Sequence, residues 1–198
     1  MIRFDTTFPH EYAVEEISRL PGKGKLDLPV HYIPPPISRP EHDGFWLKMV
    51  PLKGNPWIGV FAFGDHRAGS TSRVISSPHP RRPCILSGGA AYLVDADKAT
   101  GWERVAVTPV LDVRIIEPSR LLVFSDFTRL TAYGENGLVW RTPRLCWDEL
   151  KIERITQELI EGTGFDPTSP KRLSFAVELK TGRSMLEAPR STDGRFLW

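Results

Sequence analysis

Proline is spread through this chain so densely that few long segments lack one. The chain has 18 prolines among 198 residues, about 9% where an average protein has ~5%. A proline inside a helix removes a backbone hydrogen bond and clashes with the preceding turn. The sequence therefore argues against a helical protein and favours short elements joined by turns.

The stretch from Leu121 to Thr142 indicates what these short elements are. It reads LLVFSDFTRLTAYGENGLVWRT, in which three apolar runs are separated by two breaks. The first break is Ser125-Asp126, and the second is the glycine-bearing turn from Gly134 to Gly137. Short apolar runs between turn residues are typical of strands. We therefore predict three short strands joined by two tight turns.

The N-terminal segment, residues 1–43, has a different pattern. We predict one short helix with Pro9 in its first turn, where proline is tolerated. Its apolar face is expected to consist of residues at helical spacing, namely Tyr12, Ala13, Ile17 and Leu20. The alternative is an edge strand formed by the alternating residues Ile2, Phe4 and Phe8.

The second part of this segment, residues 21–43, is predicted to be an extended arm. It contains six prolines, three of them consecutive at Pro34-Pro35-Pro36, and such runs favour polyproline II. A short strand at Leu28–Tyr32 is compatible with the arm. We expect the arm to lie over the body of the protein because it carries apolar residues to bury: Val30, Tyr32, Ile33 and Ile37.

The body, residues 44–186, is predicted to consist almost wholly of strands, and residues 187–198 are expected to form a loose tail. The whole chain, residues 1–198, is interpreted as a single domain. The segment from Trp147 to Glu161 is also compatible with helical spacing. We favour strands there because Thr156-Gln157-Glu158 suits a hairpin turn.

Three segments of the body repeat one pattern. They begin at Ala90, Thr128 and Leu173, and each consists of an apolar strand, a turn and a second strand. Their turns close on three glycines: Gly101, Gly137 and Gly182. Such turns usually need a residue with positive φ, which glycine adopts without strain. A strand-only repeat of about 36 to 45 residues is typical of propeller blades.

The segment LTAYGENGLVWRT resembles a blade of the quinoprotein-dehydrogenase type of β-propeller, and the resemblance at blade level covers residues 74–186. It implies a mainly β fold built as an antiparallel meander of strand-turn-strand units, either propeller-like or a partial propeller. A sandwich or barrel is the alternative. Gly134 stands where the family has an aspartate, and no residues that would hold a quinone and calcium are identifiable, so no cofactor is expected.

Composition and charge argue against several classes of function. The 26 basic and 24 acidic residues give a net charge of +2 without a long basic run, so no nucleic-acid partner is indicated. No apolar run approaches a membrane span. The N-terminus lacks the apolar region of a secretory signal, so we expect a cytoplasmic protein. Cys84 and Cys146, which lie among apolar neighbours, are interpreted as buried free thiols.

Four polar residues in loops are the candidate ligand-binding residues. Asp65 and His66 follow a strong strand, and a histidine beside an aspartate can act as a general base. Asp126 and Asp166 lie at comparable places in successive repeats. The alternative is that these aspartates accept hydrogen bonds from local backbone N–H groups. The five histidines lack metal-ligand spacing, so no metal site is predicted.

Three tryptophans in the body are interpreted as structural residues, and the function is stated only as two hypotheses. Trp102, Trp140 and Trp147 are expected to pack in the core or between sheets. The specific function is not readable from the sequence, and the first hypothesis is a non-catalytic module that binds a protein or a small molecule. The alternative is a hydrolase or sugar-acting enzyme that uses loop carboxylates and His66. A homodimer is one way in which an unclosed sheet would cover its edges.

Overall fold

The computed structural model describes residues 4–18, 27–38, 41–65, 72–170 and 172–184. Within these residues the protein is mainly β: it contains sixteen strands, one 3-10 turn at Glu117–Ser119 and no α-helix. In chain order the strands are β1 (Phe4–Asp5), β2 (Tyr12–Glu16), β3 (Val30–Ile33), β4 (Gly44–Pro51), β5 (Trp57–Ala62), β6 (Arg73–Ile75), β7 (Cys84–Ser87), β8 (Ala90–Val94), β9 (Trp102–Arg104), β10 (Asp112–Ile116), β11 (Leu121–Ser125), β12 (Leu130–Gly134), β13 (Gly137–Arg141), β14 (Asp148–Ile155), β15 (Leu159–Phe165) and β16 (Leu173–Glu178).

The described strands form four sheets, which we number I to IV. Their strand orders are β2-β4-β5-β3 in sheet I, β1-β6-β7-β8-β9 in sheet II, β10-β11-β12-β13 in sheet III and β14-β15-β16 in sheet IV. From β6 onward every pairing joins consecutive strands in antiparallel orientation. The predicted antiparallel meander is therefore confirmed. Two parallel pairings, β1 with β6 and β3 with β5, lie at sheet edges.

The four sheets pack face to face in the order I, II, III, IV. Three hydrophobic clusters fill the spaces between them: Leu47 and Tyr92 belong to the cluster between sheets I and II, Leu93 and Phe124 to the next, and Ala132 and Ile160 to the last. In the described part of the chain, no such cluster includes residues of both sheet I and sheet IV.

The burial patterns of the strands follow from this order. In the inner sheets II and III, the central strands β7, β8 and β11 are buried at every residue, because both faces are covered. In the outer sheets, strands such as β4 and β15 alternate between more and less buried residues, as expected when one face packs and the other meets solvent. In these five strands, the burial pattern therefore reflects whether the sheet is covered on two faces or on one.

The predicted N-terminal helix is wrong, because residues 12–16 form strand β2. This strand pairs antiparallel with β4, from Tyr12 opposite Pro51 to Glu16 opposite Leu47. Tyr12 is buried and Ala13 is exposed, which is the two-residue alternation of a strand. A helix this short is marginal in water by itself, whereas the edge of β4 offers hydrogen-bond partners to residues 12–16.

The prediction for the arm is correct in part. Val30–Ile33 forms the short strand β3 along the edge of sheet I, and Ile33 is buried there. The ring of Tyr32 also meets that of Trp46 edge-on, with 6.3 Å between ring centroids. Ile37, which we expected to be buried, is fully exposed because it lies beyond the paired residues.

The preference for strands between residues 147 and 161 is confirmed by the β14–β15 hairpin, in which the N–H of Thr156 donates to the carbonyl of Leu159 at 2.8 Å. Two of the three turn glycines have the predicted positive φ, namely 103° at Gly137 and 72° at Gly182. Gly101 does not. A Cβ there would lie 2.8 Å from the Cβ of Asp95, so close approach explains this glycine.

Both cysteines are free and buried, as the sequence predicts. Cys84 is fully buried, and Cys146 is 4% exposed. In the part of the chain that the structure describes, no helix is long and apolar enough to cross a membrane.

Candidate functional site

Asp126 and Asp166 occupy equivalent turns at the same end of sheets III and IV. The backbone N–H and the hydroxyl of Thr128 both donate to Asp126 Oδ1, at 2.7 and 3.1 Å. Thr168 donates in the same way to Asp166 Oδ1, at 2.8 and 2.7 Å. Each carboxylate therefore closes a turn of its own chain, which is the alternative that the sequence left open.

A third copy of this turn follows β1. The backbone N–H and hydroxyl of Thr7 donate to Asp5 Oδ1, at 3.0 and 2.6 Å. The three turns share the pattern Asp-x-Thr, in which the threonine lies two residues after the aspartate. This spacing is a structural signal in the sequence that the strand-and-turn pattern alone does not reveal.

The other two predicted ligand residues are Asp65 and His66. His66 lies outside the described residues. Asp65 follows Gly64, whose N–H donates to the carbonyl of Ser87 at 3.0 Å, so it lies beside the turn between β7 and β8. The structure thus brings Asp126 and Asp166 to neighbouring sheets, and it places Asp65 near sheet II.

Two concavities in the described part of the chain are of interest, and neither is lined by a predicted ligand residue. The first is a space of about 30 Å³ beside Arg73 and Asp112, which is no larger than a water site. The second is a groove of about 630 Å³ between sheets III and IV, at the ends of the strands opposite to the Asp126 and Asp166 turns. Among the described residues, no group of His, Cys, Asp and Glu side chains could hold a metal ion.

Exposed aromatic side chains surround the Asp126 and Asp166 turns. Phe127 is 41% exposed, and Trp147 and Phe165 are each 46% exposed. We call these three residues the aromatic edge. The N–H of Trp147 donates to the carbonyl of Phe165 at 2.9 Å, and the N–H of Leu150 donates to that of Phe127 at 3.2 Å. One short segment therefore joins all three.

The backbone of that segment is held in an unusual conformation. The pairing of β14 with β15 is irregular between Asp148 and Lys151, and Glu149 has a φ of 53°. Arg172 donates to the carboxylate of Glu149 at 2.6 Å and to its carbonyl oxygen at 2.9 Å. Bulges re-aim neighbouring side chains. This one, held by Arg172, fixes the strand immediately after Trp147.

Trp147 corrects the expectation that all three tryptophans would be packed. Trp140 is 6% exposed, and its Nε1 donates to the carbonyl of Leu179 at 2.8 Å, so it links sheets III and IV as expected. Trp102 is half-buried against the cluster between sheets I and II. Trp147 instead faces solvent, and the guanidinium of Arg144 lies 5.0 Å from the centroid of its ring.

The cysteine closest to this edge is not activated. Burial raises the pKa of the Cys146 thiol to about 11, and the negative charges of Asp148 and Asp126 add to the shift. Its Sγ donates to the carbonyl of Phe127 at 3.5 Å. A nucleophilic cysteine needs a lowered pKa, so the electrostatics here favour a neutral, structural thiol.

Comparisons with protein-family models, with curated proteins and with solved structures find no match to this chain. Its function is therefore inferred from its own residues. The signal that would have found the aromatic edge is local: Phe127 and Phe165 each adjoin a turn aspartate, where polar neighbours are the rule.

Proposed function

We propose that this protein is a non-catalytic protein-interaction module and that its partner docks on the aromatic edge. The observation that carries the proposal is the exposure of Phe127, Trp147 and Phe165 on segments that are hydrogen-bonded to each other. Aromatic residues and arginine are enriched at the energetic centres of protein interfaces. Because these rings are exposed, they would contribute more free energy to binding a partner than they contribute to packing in the folded chain.

The geometry of the edge favours a pre-organised interface. The Asp126 and Asp166 turns and the Arg172 contacts to Glu149 hold the backbone in place before any partner arrives. Ordering a loop on binding costs free energy, so a loop that is already held binds more tightly. The partner is expected to present an apolar pocket for Trp147 and a carboxylate that reaches Arg144.

The chemistry of Asp126 and Asp166, and of the two cysteines, supports a binding role over catalysis. The carboxylates of Asp126 and Asp166 accept hydrogen bonds from their own turns. The Cys84 and Cys146 thiols have pKa values raised to about 12 and about 11, chiefly by burial. A general base or a nucleophile would instead have a pKa tuned towards neutrality.

Photo-crosslinking tests this proposal whatever the identity of the partner. Benzoylphenylalanine is placed at position 147 or 165, and as a control at position 52, where Leu52 is 68% exposed but away from the edge. In living cells, we expect one discrete adduct from positions 147 and 165 and none from position 52. The same adducts from all three positions, or no adduct from the edge, would contradict the proposal.

We also propose, from the blade-like segment LTAYGENGLVWRT, that the sheets are related to the blades of a partial propeller of the quinoprotein type. The face-to-face order of the sheets and the meander of sheets III and IV support this relationship. A propeller left open in this way would gain from a second copy that covers sheet I or sheet IV. Light scattering of the purified chain distinguishes a dimer from a monomer.

A cytoplasmic location is proposed as well. Both thiols are free in the structure, and reduced cysteines are typical of the cytosol. Fractionation of cells that express the tagged protein would test this location.

A further inference from the structure

The groove between sheets III and IV has an apolar floor. Leu121 of β11 and Leu179, which follows β16, are almost fully buried on its two sides, whereas Val139 of β13 is 51% exposed within it. Gly134 makes room here, because a Cβ at this position would lie only 3.0 Å from Val139 Cγ2 and 3.6 Å from Leu121 Cδ2. The floor is therefore apolar, and Val139 leaves part of it exposed to solvent.

The rim of the groove is more acidic than basic. Glu158 and Glu178 line it together with Lys180, which leaves one excess negative charge. The carboxylate of Glu178 accepts a hydrogen bond from the hydroxyl of Thr181. The side chain of Glu158 makes no ion pair or hydrogen bond with the described part of the chain. A cation beside the apolar group would neutralise this rim.

The side wall of the groove is an edge strand. β13 is the last strand of sheet III, so no strand among the described residues pairs with its outer side. Such an edge can accept an added strand from another protein. The volume of about 630 Å³ lies within the usual range of binding pockets.

We infer that this groove binds an extended peptide segment of a partner protein in which an apolar residue is flanked by lysine or arginine. The apolar side chain lies on the floor beside Val139, and a basic side chain approaches Glu158. The site is separate from the aromatic edge, because it lies at the opposite ends of the same strands. The inference about this groove can therefore be tested independently of the proposed function.

The test is a titration of the full-length, isotope-labelled protein with two short capped peptides, followed by nuclear magnetic resonance. The first peptide is Ala-Lys-Leu-Lys-Ala and the second is Ala-Glu-Leu-Glu-Ala, each added to about 2 mM, where weak peptide sites become occupied. We expect the lysine peptide to shift the signals of residues 119–121, 139, 157–159 and 178–180, and the glutamate peptide to leave them unchanged.

Matched variants assign the two parts of the site. Glu158→Gln should weaken binding of the lysine peptide by roughly 2- to 5-fold, the usual effect of an exposed charge, whereas Glu11→Gln, at the exposed residue before β2, should not. Val139→Ala should weaken binding as well. Leu138→Ala should not, because Leu138 is equally exposed on β13 but does not line the groove.

Four outcomes would overturn the inference. They are the absence of any shift with the lysine peptide, equal shifts with both peptides, shifts centred on the aromatic edge, and shifts in the groove that depend on protein concentration alone. The last of these would assign the groove to a second copy of the chain. Trp147→Ala serves as the independent control, since it should leave peptide binding in the groove unchanged.

Discussion

The two ends of sheets III and IV differ although the same strands form both. At the aromatic edge, backbone hydrogen bonds join the turns of one sheet to the other, as from Leu150 to Phe127. At the groove, the Trp140 ring makes the cross-sheet hydrogen bond, to the carbonyl of Leu179. The comparison indicates that one packed core can support an aromatic end joined by backbone hydrogen bonds and an open, acidic end.

The largest loss of stability is expected at the groove end, where the Trp140 side chain makes the hydrogen bond between sheets III and IV. Trp140→Ala removes a buried ring and its hydrogen bond and should lower the free energy of unfolding by about 3–5 kcal/mol. Trp140→Phe keeps most of the packing and should cost about 1–2 kcal/mol, because the carbonyl of Leu179 loses its donor. Urea unfolding measures both. A loss below about 1 kcal/mol for the alanine variant would mean that Trp140 does not hold this end together.

The aromatic end has its own tight contact. A Cβ on Gly164 would lie 2.4 Å from both Cβ and Sγ of Cys146, so Gly164→Ala must push the segment before Trp147 away from β15. We expect a loss of about 1–3 kcal/mol in unfolding free energy, measured by thermal or urea unfolding.

A size swap provides the control for this contact. The double variant Gly164→Ala with Cys146→Gly removes the clashing atoms and should be more stable than Gly164→Ala with the cysteine intact. If Gly164→Ala alone is as stable as the parent, the close packing at this end is wrong.

A smaller effect distinguishes turn aspartates from ligand-binding ones. Asp126→Ala removes an oxygen that accepts from Thr128 and Arg129 and should cost about 1–2 kcal/mol. Asp126→Asn retains an acceptor oxygen and should cost less. Asp166→Ala should behave like Asp126→Ala, since its turn is the same. Unchanged stability in both alanine variants would contradict the turn-closing role and favour a ligand-binding role for Asp126 and Asp166.

The smallest effect concerns pH. Burial raises the pKa of Cys146 from 9.0 to about 11 and that of Cys84 from 9.0 to about 12, so the folded state disfavours both thiolates. Their contribution to stability is fully present below pH 9 and is lost as the pH rises through 11 and 12. Iodoacetamide should therefore label the folded protein slowly at pH 8, and Cys146 before Cys84. Labelling of the folded protein as fast as that of the urea-unfolded chain would contradict these shifts.

Much of the fold could be predicted from the sequence, because the body consists of apolar runs separated by turn residues. The hairpins at Gly137 and at Thr156–Glu158 are examples. The difference between an inner and an outer strand is also visible, since LLVF in β11 is an unbroken apolar run while DELKIERI in β14 mixes apolar and charged residues. That distinction between inner and outer strands is a readable signal.

The remaining features depend on neighbours that are distant in sequence. Tyr12 lies in a strand and not in a helix because the edge of β4, more than thirty residues later, pairs with it. Trp140 and Trp147 resemble each other in sequence context, yet Trp140 is covered by Gly182 and Leu179 and Trp147 is not. The exposure of a tryptophan side chain depends on which loops cover it in the folded protein, and the local sequence pattern does not determine this.

The most direct measurement of the central claim is the affinity of the crosslinked partner, once purified, for this protein and for Trp147→Ala. Calorimetry should show a loss of about 2 kcal/mol, or roughly 30-fold in Kd, as expected for an aromatic residue at the centre of an interface. Leu52→Ala should bind as tightly as the parent. Equal affinities for the parent and for Trp147→Ala would show that the aromatic edge is not where the partner binds.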